Sequence, residues 1–256
     1  YTDPHDTYTI NSIGTLNILE ILKTNKVVKS IICITSDKCY KNNNSVKGFV
    51  ENDSLGGEDP YSGSKACAEI IANTYYQSFF KNKRKCGLAT VRAGNVIGGG
   101  DWSENRLIPD CIKSINSNKT IVLRNPYFNR PWQHVLEPLN GYLILAKKLY
   151  ENPLKFSSAW NFGSEKNTVT DVLTVVKKII KIWGKGNLKF KKKNKYYEQK
   201  NLQLNINKAK SKLFWKPKLT IAESINFTIE WYKKTLIYKE NPYLVTKNQI
   251  QEFLKH

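Results

Sequence analysis

Tyr61 and Lys65, in the stretch Asp59-Pro60-Tyr61-Ser62-Gly63-Ser64-Lys65, combine residue types and a spacing that can do acid–base chemistry. Four residues apart on a helix, the phenol and the ammonium share one face. The cation favours the phenolate of a group that ionises near 10 in water, so the tyrosine can act as a base. Spacing alone does not single this pair out. With 14 tyrosines and 36 lysines in 256 residues, about two such pairs arise by chance. Tyr196/Lys200 and Tyr243/Lys247 also fit. The surroundings of Tyr61 must decide.

Hydrophobic periodicity predicts the elements that position the pair. Residues 6–23 place Ile10, Ile13, Leu16, Ile18, Leu19 and Leu22 at roughly helical spacing. Residues 30–35 read as a short buried parallel strand. A polar loop over 41–57 leads to a helix from about Pro60, where proline suits the first turn. That helix continues through Ala68, Ile71 and Tyr75 to about Phe80, and residues 87–91 read as a second buried strand. Helix, strand, helix, strand is the rhythm of an α/β fold with a doubly wound parallel sheet, that is, a Rossmann-like domain. Each strand runs into a polar cluster: Ser36-Asp37-Lys38 after the first, Arg92-Ala93-Gly94-Asn95 after the second. Ligands of open α/β sheets sit at the carboxyl ends of strands. A hydroxyl, an acid and a Tyr/Lys couple at one sheet edge suit proton and hydride chemistry on a carbinol.

Further along, residues 94–101 read as irregular, 106–116 as helix and 121–123 as a short strand before a proline-marked loop. Residues 136–150 read as helix and 159–162 as strand. An amphipathic helix is predicted over 169–183, stopped by Gly184. Residues 189–195 read as an exposed strand or loop. A last helix spans 221–238, with Ile221, Ile225, Thr228, Ile229 and Tyr232 inward. Gly98-Gly99-Gly100 fits neither phosphate-loop form and reads as a substrate-side turn. Trp132 and Trp160 read as core, and Cys39 as a small packed hydrophobe.

The formal charge of +20 rests on 36 lysines and only 5 arginines, spread along the chain. No recognition motif accompanies it, so a solvated basic surface is expected and a nucleic-acid partner is not. Such a surface attracts anionic small substrates. No apolar run approaches about 18 residues and no signal-peptide layout opens the chain, so a cytoplasmic protein without a membrane partner is expected. Five cysteines, without ligand spacing, read as reduced thiols, and His5, His134 and His256 are too scattered for a metal site. The sequence contains no methionine and opens mid-pattern at Tyr1, so an N-terminal truncation is expected.

The order of motifs resembles the extended short-chain dehydrogenase/reductase family, within it the nucleotide-sugar 4,6-dehydratases, and most closely their CDP-glucose branch. The matching stretches are Thr35-Ser-Asp-Lys-Cys-Tyr40, Glu51-Asn-Asp-Ser-Leu-Gly-Gly57, Asp59-Pro-Tyr-Ser-Gly-Ser-Lys65, Arg92-Ala-Gly-Asn-Val-Ile-Gly-Gly-Gly-Asp-Trp102, Arg106-Leu-Ile-Pro-Asp110, Arg130-Pro-Trp-Gln-His-Val135 and Trp160-Asn-Phe-Gly163. Their joint occurrence in order is far more specific than any one of them. The resemblance implies that residues 1–93 and 134–162 form a partial NAD-binding Rossmann domain. Residues 94–133 and 163–256 would then form the sugar-nucleotide lobe and tail.

The resemblance also implies roles. Tyr61 takes the proton of the sugar 4-hydroxyl as NAD accepts hydride from C4. Lys65 holds the nicotinamide ribose, Ser36 hydrogen-bonds the same 4-oxygen, and Asp37 protonates the departing 6-hydroxyl. Hydride then returns to C6. Lys38 stands where dTDP-glucose dehydratases carry a glutamate proposed as the C5 base; it acts either as base or as enolate stabiliser. Asn11 matches a position near the cofactor. Asn95, Arg106 and Arg130 are implied ligands of the sugar nucleotide, arginine forks suiting phosphate oxygens, while His134 serves that site or the core. The family's Gly-rich dinucleotide fingerprint belongs upstream of Tyr1 and is absent from the sequence, so weak NAD binding is expected. Homodimerisation is implied as well. A 4-epimerase is the nearest alternative activity, but it needs no acid to expel water. A catalytically inactive basic fragment would explain the charge but not the retained Ser/Asp/Tyr/Lys set.

Overall fold

A computed structural model describes residues 3–41, 48–82, 86–165, 170–191 and 203–256. The chain divides into two compact units. The first comprises Tyr1–Gly94, Pro138–Gly163 and Leu202–Lys216; the second comprises Asn95–Glu137, Ser164–Asn201 and Pro217–His256.

The first unit is built on a parallel sheet of Ser30–Ile34, Gly87–Ala93 and Ala159–Phe162, with Gly87–Ala93 in the middle. The middle strand is buried along nearly its whole length, as a strand covered on both faces must be. Its side chains alternate. Ala89 and Val91 pack with Leu145, Leu149, Trp160 and Phe162 on one face, whereas Leu88 packs with Leu19, Ala72, Tyr76 and Phe80 on the other. The strand Ser30–Ile34 is only half-buried, and Ile34 is 57% exposed. It pairs on one side only among the described residues, which corrects the expectation of a fully buried strand.

Two helical runs of this unit contain π turns. The first runs Pro4–Tyr8, Thr9–Ile13 (the π turn) and Gly14–Thr24; the second runs Pro60–Tyr75 and then the π turn Tyr76–Phe80. The extra residue of a π turn rotates the helix beyond it, so later side chains face a different way. Of the apolar positions read as helix-spaced, Leu19 is buried while Ile10, Ile13 and Ile18 are exposed. Pro60–Tyr75 begins as its sequence dictates: Asp59 caps it by accepting from the Ser62 amide, and Pro60 occupies the first turn.

One buried ion pair joins this helix to the sheet. Residues 88, 90 and 92 point to the helix side of the middle strand, which sets Thr90 and Arg92 against Glu69. Arg92 donates from Nε to Glu69 Oε1 and from Nη2 to Oε2, each at 2.8 Å, and both side chains are 3% exposed. The hydroxyls of Thr35 and Thr90 donate to the two remaining acceptor positions. The third Arg92 nitrogen donates to the Glu51 carbonyl at 3.0 Å, and the guanidinium lies 4.6 Å from the Tyr40 ring centroid.

The segment Leu202–Lys216, expected in the lobe of residues 163–256, belongs to the first unit. Its helix Asn207–Leu213 and Ile206, Leu213 and Trp215 fill the hydrophobic cluster over the sheet, and Leu204 bridges to Phe49. The apolar residues, not the chain order, decide that assignment.

The second unit packs Leu107–Asn116, Val172–Trp183 and Ile221–Leu236 around one core that includes Ile97, Ile112, Trp132, Ile179, Ile229 and Tyr232. Short strands pair within it: Val96–Ile97 with Gln133–His134, Ile121–Leu123 with Leu188–Phe190, and Asn129–Arg130 with Thr170–Asp171. Two expectations change here. Residues 94–101 hold a two-residue strand, and the predicted 169–183 helix starts at Val172 because Asp171 caps it from the end of a strand. Gly184, at φ 93°, ends that helix as expected. A further helix, Pro242–Lys255, lies on Ile221–Leu236 through Val245 and Gln249, whose Nε2 donates to the Phe227 carbonyl at 2.6 Å. Residues 192–195 of the predicted 189–195 run, residues 42–47 of the 41–57 loop, and the Tyr196/Lys200 pair lie outside the described residues. No helix among the described residues is long and apolar enough to cross a membrane.

Replacing Arg92 by methionine strips a buried carboxylate of its partner. We expect this to cost about 3–5 kcal/mol, against about 1 kcal/mol for Thr90→Val, in urea-unfolding midpoints. Equal small losses would mean that Glu69 is not held by Arg92.

Candidate active site

The first unit brings Ser36, Asp37, Lys38, Tyr61, Lys65 and Asn11 together. The strand Ser30–Ile34 ends at Thr35, whose amide still donates to the Val91 carbonyl at 2.9 Å. The chain then enters a one-turn 3₁₀ helix, Asp37–Cys39, which packs on Pro60–Tyr75. Ser36 caps this turn: its Oγ accepts from the Lys38 amide at 3.2 Å and donates to Asp37 Oδ1 at 3.0 Å.

Asp37 is buried, and its position depends on Gly94 at the end of the middle strand. A Cβ on residue 94 would stand 1.9 Å from Asp37 Oδ2. A hydrogen there leaves room for a carboxylate against the backbone; a methyl does not. Neighbouring thiols offer no competing nucleophile, since burial pushes Cys33 up to about 11 and Cys39 up to about 12.

Tyr61 is 41% exposed and has two ammonium groups near its ring. Lys38 Nζ is 5.8 Å and Lys65 Nζ 6.0 Å from its ring centroid. Burial holds Lys65 below the usual lysine range, the nearby Cys33 working against this. Among the described residues its ammonium makes no ion pair with a carboxylate. Asp59 is held below the usual carboxylate range. Burial opposes this, but hydrogen bonds from the Ser62 hydroxyl and amide and the charge of Lys38 outweigh it. Asn11 lies in the π turn Thr9–Ile13. Its Nδ2 donates to Ser64 Oγ at 3.0 Å, and Ser64 in turn donates to the Tyr61 carbonyl at 2.8 Å. The Tyr8 hydroxyl reaches over Gly63: a Cβ there would lie 2.3 Å from it.

The second unit holds Asn95, Arg106, Arg130 and His134. Asn95 adopts a left-handed conformation (φ 51°), and its carbonyl accepts from the Gln133 amide at 3.2 Å. Arg106 precedes the helix Leu107–Asn116 and lies 3.9 Å from Asp101 with most of its side chain exposed. Arg130, on its short strand, sits 5.7 Å from the Phe128 ring. His134 is different. It is 2% exposed, its Nδ1 accepts from the Leu136 amide at 3.3 Å, and its ring packs edge-on to Phe227. Its Nε2 is buried with no hydrogen-bond partner, and burial pulls its pKa down to about 4. These contacts are with the core, the second of the two places the sequence left open for it. Gly98 and Gly99 are likewise packing glycines: added Cβ atoms would strike Val135 and Trp231. Trp132 and Trp160 are core, as expected. Asp3, His5 and Asp6 come together at the N-terminal helix, all exposed, with Asp3 serving as its cap.

Sequence reasoning missed Glu69. The signal was available, since Tyr61, Lys65 and Glu69 succeed one another at four-residue spacing on one helix face.

A parallel α/β sheet with a tyrosine–lysine couple and an acid at its carboxyl edge defines a Rossmann-type enzyme of the short-chain dehydrogenase/reductase class. The chain belongs to the GDP-mannose 4,6 dehydratase family of hydro-lyases, whose model matches residues 1–228. It is 41% identical to CDP-glucose 4,6-dehydratase of Salmonella typhimurium over 99% of this chain and 72% of that one. It is 26% identical to dTDP-D-glucose 4,6-dehydratase of Dictyostelium discoideum, covering 89% of this chain and 60% of the relative. Among solved structures, dTDP-glucose 4,6-dehydratase from Bacillus anthracis in complex with NAD superposes with a TM-score of 0.75 at 25% identity. That match covers 89% of this chain and 68% of the other. The resemblance to nucleotide-sugar 4,6-dehydratases and the α/β fold are thereby borne out.

Substitutions at Gly94 and His134 separate chemistry from packing. Gly94→Ala should displace the Asp37 carboxylate and lower dehydratase turnover by about 10²-fold or more, while thermal unfolding shifts little; unchanged turnover would remove Asp37 from the chemistry. For His134 the folded pKa, about 4, lies below an unfolded value near 6.5. Its contribution is therefore fully present above about pH 6.5 and is lost as the pH falls towards 4, by up to about 3 kcal/mol. His134→Phe should flatten that part of the stability–pH curve, as urea midpoints from pH 7 to 4 can establish.

Proposed function

We propose that this protein dehydrates CDP-glucose to CDP-4-keto-6-deoxyglucose with NAD as cofactor. The observation that carries the reading is Asp37: a buried carboxylate, seated against Gly94, in the turn that packs on the Tyr61–Lys65 helix. A 4-epimerase has no use for an acid there, because it expels no water. The 41% identity to a CDP-glucose 4,6-dehydratase supports the choice of nucleotide.

The residues present fit a nicotinamide dinucleotide. Lys65 is a half-buried ammonium with no carboxylate partner among the described residues, the donor chemistry that ribose hydroxyls accept. Asn11, tied through Ser64 to the Tyr61 turn, borders the same place. When bound, NAD supplies a hydride acceptor for C4 and the donor that returns hydride to C6. The chain's own groups handle the protons. Tyr61, as phenolate, takes the proton of the 4-hydroxyl, and the Ser36 hydroxyl holds the same oxygen. Oxidation at C4 acidifies C5, whose proton passes to solvent water as the 6-hydroxyl leaves, and a proton is taken up again at C5 when hydride adds at C6. Asp37, protonated, delivers its proton to that departing hydroxyl, and water is released. Lys38 is solvent-exposed, without the burial a lysine base requires, so its charge is best placed to stabilise the enolate. Asn95, Arg106 and Arg130 hold the sugar nucleotide, with the arginines on the diphosphate. A homodimer in the cytoplasm is part of this reading.

Incubation with CDP-glucose and NAD should give a C6 methyl resonance by NMR. Tyr61→Phe and Asp37→Asn should each reduce the rate by about 10²–10⁴-fold. Recovery of CDP-galactose alone would make the protein an epimerase, and turnover of dTDP-glucose in preference would overturn the nucleotide.

A further inference from the structure

Lys38 and Lys65 reach Tyr61 from different elements. One comes from the turn at the end of a strand, the other from the next turn of the tyrosine's own helix, yet their ammonium groups are almost equidistant from the ring centroid, at 5.8 and 6.0 Å. A cation at this distance gains little from a neutral ring when it is exposed to water. Against a phenolate the same cation meets a full charge. The arrangement therefore discriminates between the two protonation states of Tyr61.

We propose that Lys38 is a second electrostatic partner of the Tyr61 phenol, a positioning residue that shares with Lys65 the task of keeping it ionised. This rests on the reading of Tyr61 as the base. The turn is fixed for the purpose at both ends: Ser36 Oγ accepts from the Lys38 amide, and Asp37 and Cys39 on either side are buried. Asp59, whose carboxylate feels the charge of Lys38, supplies an anion near it at the start of the helix.

Other charged and titratable groups among the described residues come from Tyr61's own helix and from the elements packed on it, with Glu58 just before the helix. That helix brings Asp59, Lys65 and, two turns on, Glu69. The 3₁₀ turn brings Asp37 and Cys39 beside Lys38, and the two strands bring Cys33 and Arg92. The N-terminal helical run brings Tyr8. Glu69 and Arg92 satisfy each other, and the thiols are held neutral by burial. That leaves two lysines beside the Asp59 carboxylate, Asp37 entering the reaction in its protonated form. Lys65, half-buried, is the stronger of the two; exposed Lys38 adds the smaller share. The ammonium distances are to the ring centroid and not to the phenolic oxygen; a near opposite charge moves an ionisation by about 1–3 pH units. Solvent screening of Lys38 brings its share to the lower end, about one pH unit.

The test reads the tyrosine directly. Absorbance titration at tyrosinate wavelengths of the intact protein, minus that of Tyr61→Phe, isolates the ionisation of Tyr61. Lys38→Gln should raise that midpoint by about one pH unit, Lys38→Arg should leave it in place, and circular dichroism checks the fold of each. A midpoint unmoved in Lys38→Gln, or moved equally in both variants, would overturn the proposal. With CDP-glucose, the acidic limb of kcat/KM should move upward by the same amount in Lys38→Gln, with KM little changed. Loss of turnover at every pH with an unmoved midpoint would overturn the proposal and leave Lys38 acting on the substrate itself, at the enolate or as proton acceptor. Should the parent protein turn over no sugar nucleotide at all, the dehydratase reading fails while the titration still decides this one.

Discussion

The Glu69–Arg92 pair is the constraint on which the first unit depends. A buried salt bridge is by itself weak evidence of stability, because desolvation can cancel the attraction. The decisive property here is completeness. Two arginine nitrogens and two threonine hydroxyls occupy the acceptor positions of Glu69, and Arg92 extends to the Glu51 carbonyl and the Tyr40 ring. Tyr40 stacks on Phe49 at 4.8 Å and donates to Asn161 at 2.8 Å, so the network spans the end of one strand, the middle strand, the third strand and the tyrosine helix. Such an arrangement admits one register of that helix on the sheet. Tyr61 and Lys65, two turns and one turn away from Glu69, inherit it.

The polar edge of the sheet is built by the same logic on a smaller scale. Ser36 is committed to its own turn before any substrate arrives, as cap to Lys38 and donor to Asp37. Its single O–H can be donated to another oxygen only by releasing the Asp37 carboxylate. The two groups assigned to the 4- and 6-oxygens are thus coupled in the resting protein.

Much of this was legible in the sequence. The three sheet strands, the tyrosine helix with its Asp59 and Pro60 start, and the Gly184 stop arise from local patterns that tertiary packing did not override. Ser36, Asp37 and Lys38 were legible as a polar cluster because the chain leaves the strand Ser30–Ile34 there, and Tyr61 and Lys65 because they share one face of the next helix. Other features depend on long-range packing and left no local trace. Trp215 and Leu213 join the sheet's core from a polar, lysine-rich stretch. The exposure of Ile10 and Ile18 reflects the π turn, which breaks the 3.6-residue period that pattern reading assumes. For His134 the sequence left site and core open; its ring packs on Phe227, which lies 93 residues away along the chain.

Three glycines of the first unit, Gly57, Gly63 and Gly94, share a property unrelated to backbone freedom. A Cβ on each would fall within 2.3 Å of another residue's atoms: Ser62, Tyr8 and Asp37 respectively. At Gly57 the neighbouring atoms include the backbone of Ser62 and Gly63, so a side chain there would force the preceding loop off the start of the helix. At Gly63 and Gly94 the neighbours are side-chain ends, a tyrosine hydroxyl and a carboxylate, which a methyl would push aside while the backbone stayed in place. The same kind of clash thus guards the architecture at the first glycine and the placement of a polar group at the other two.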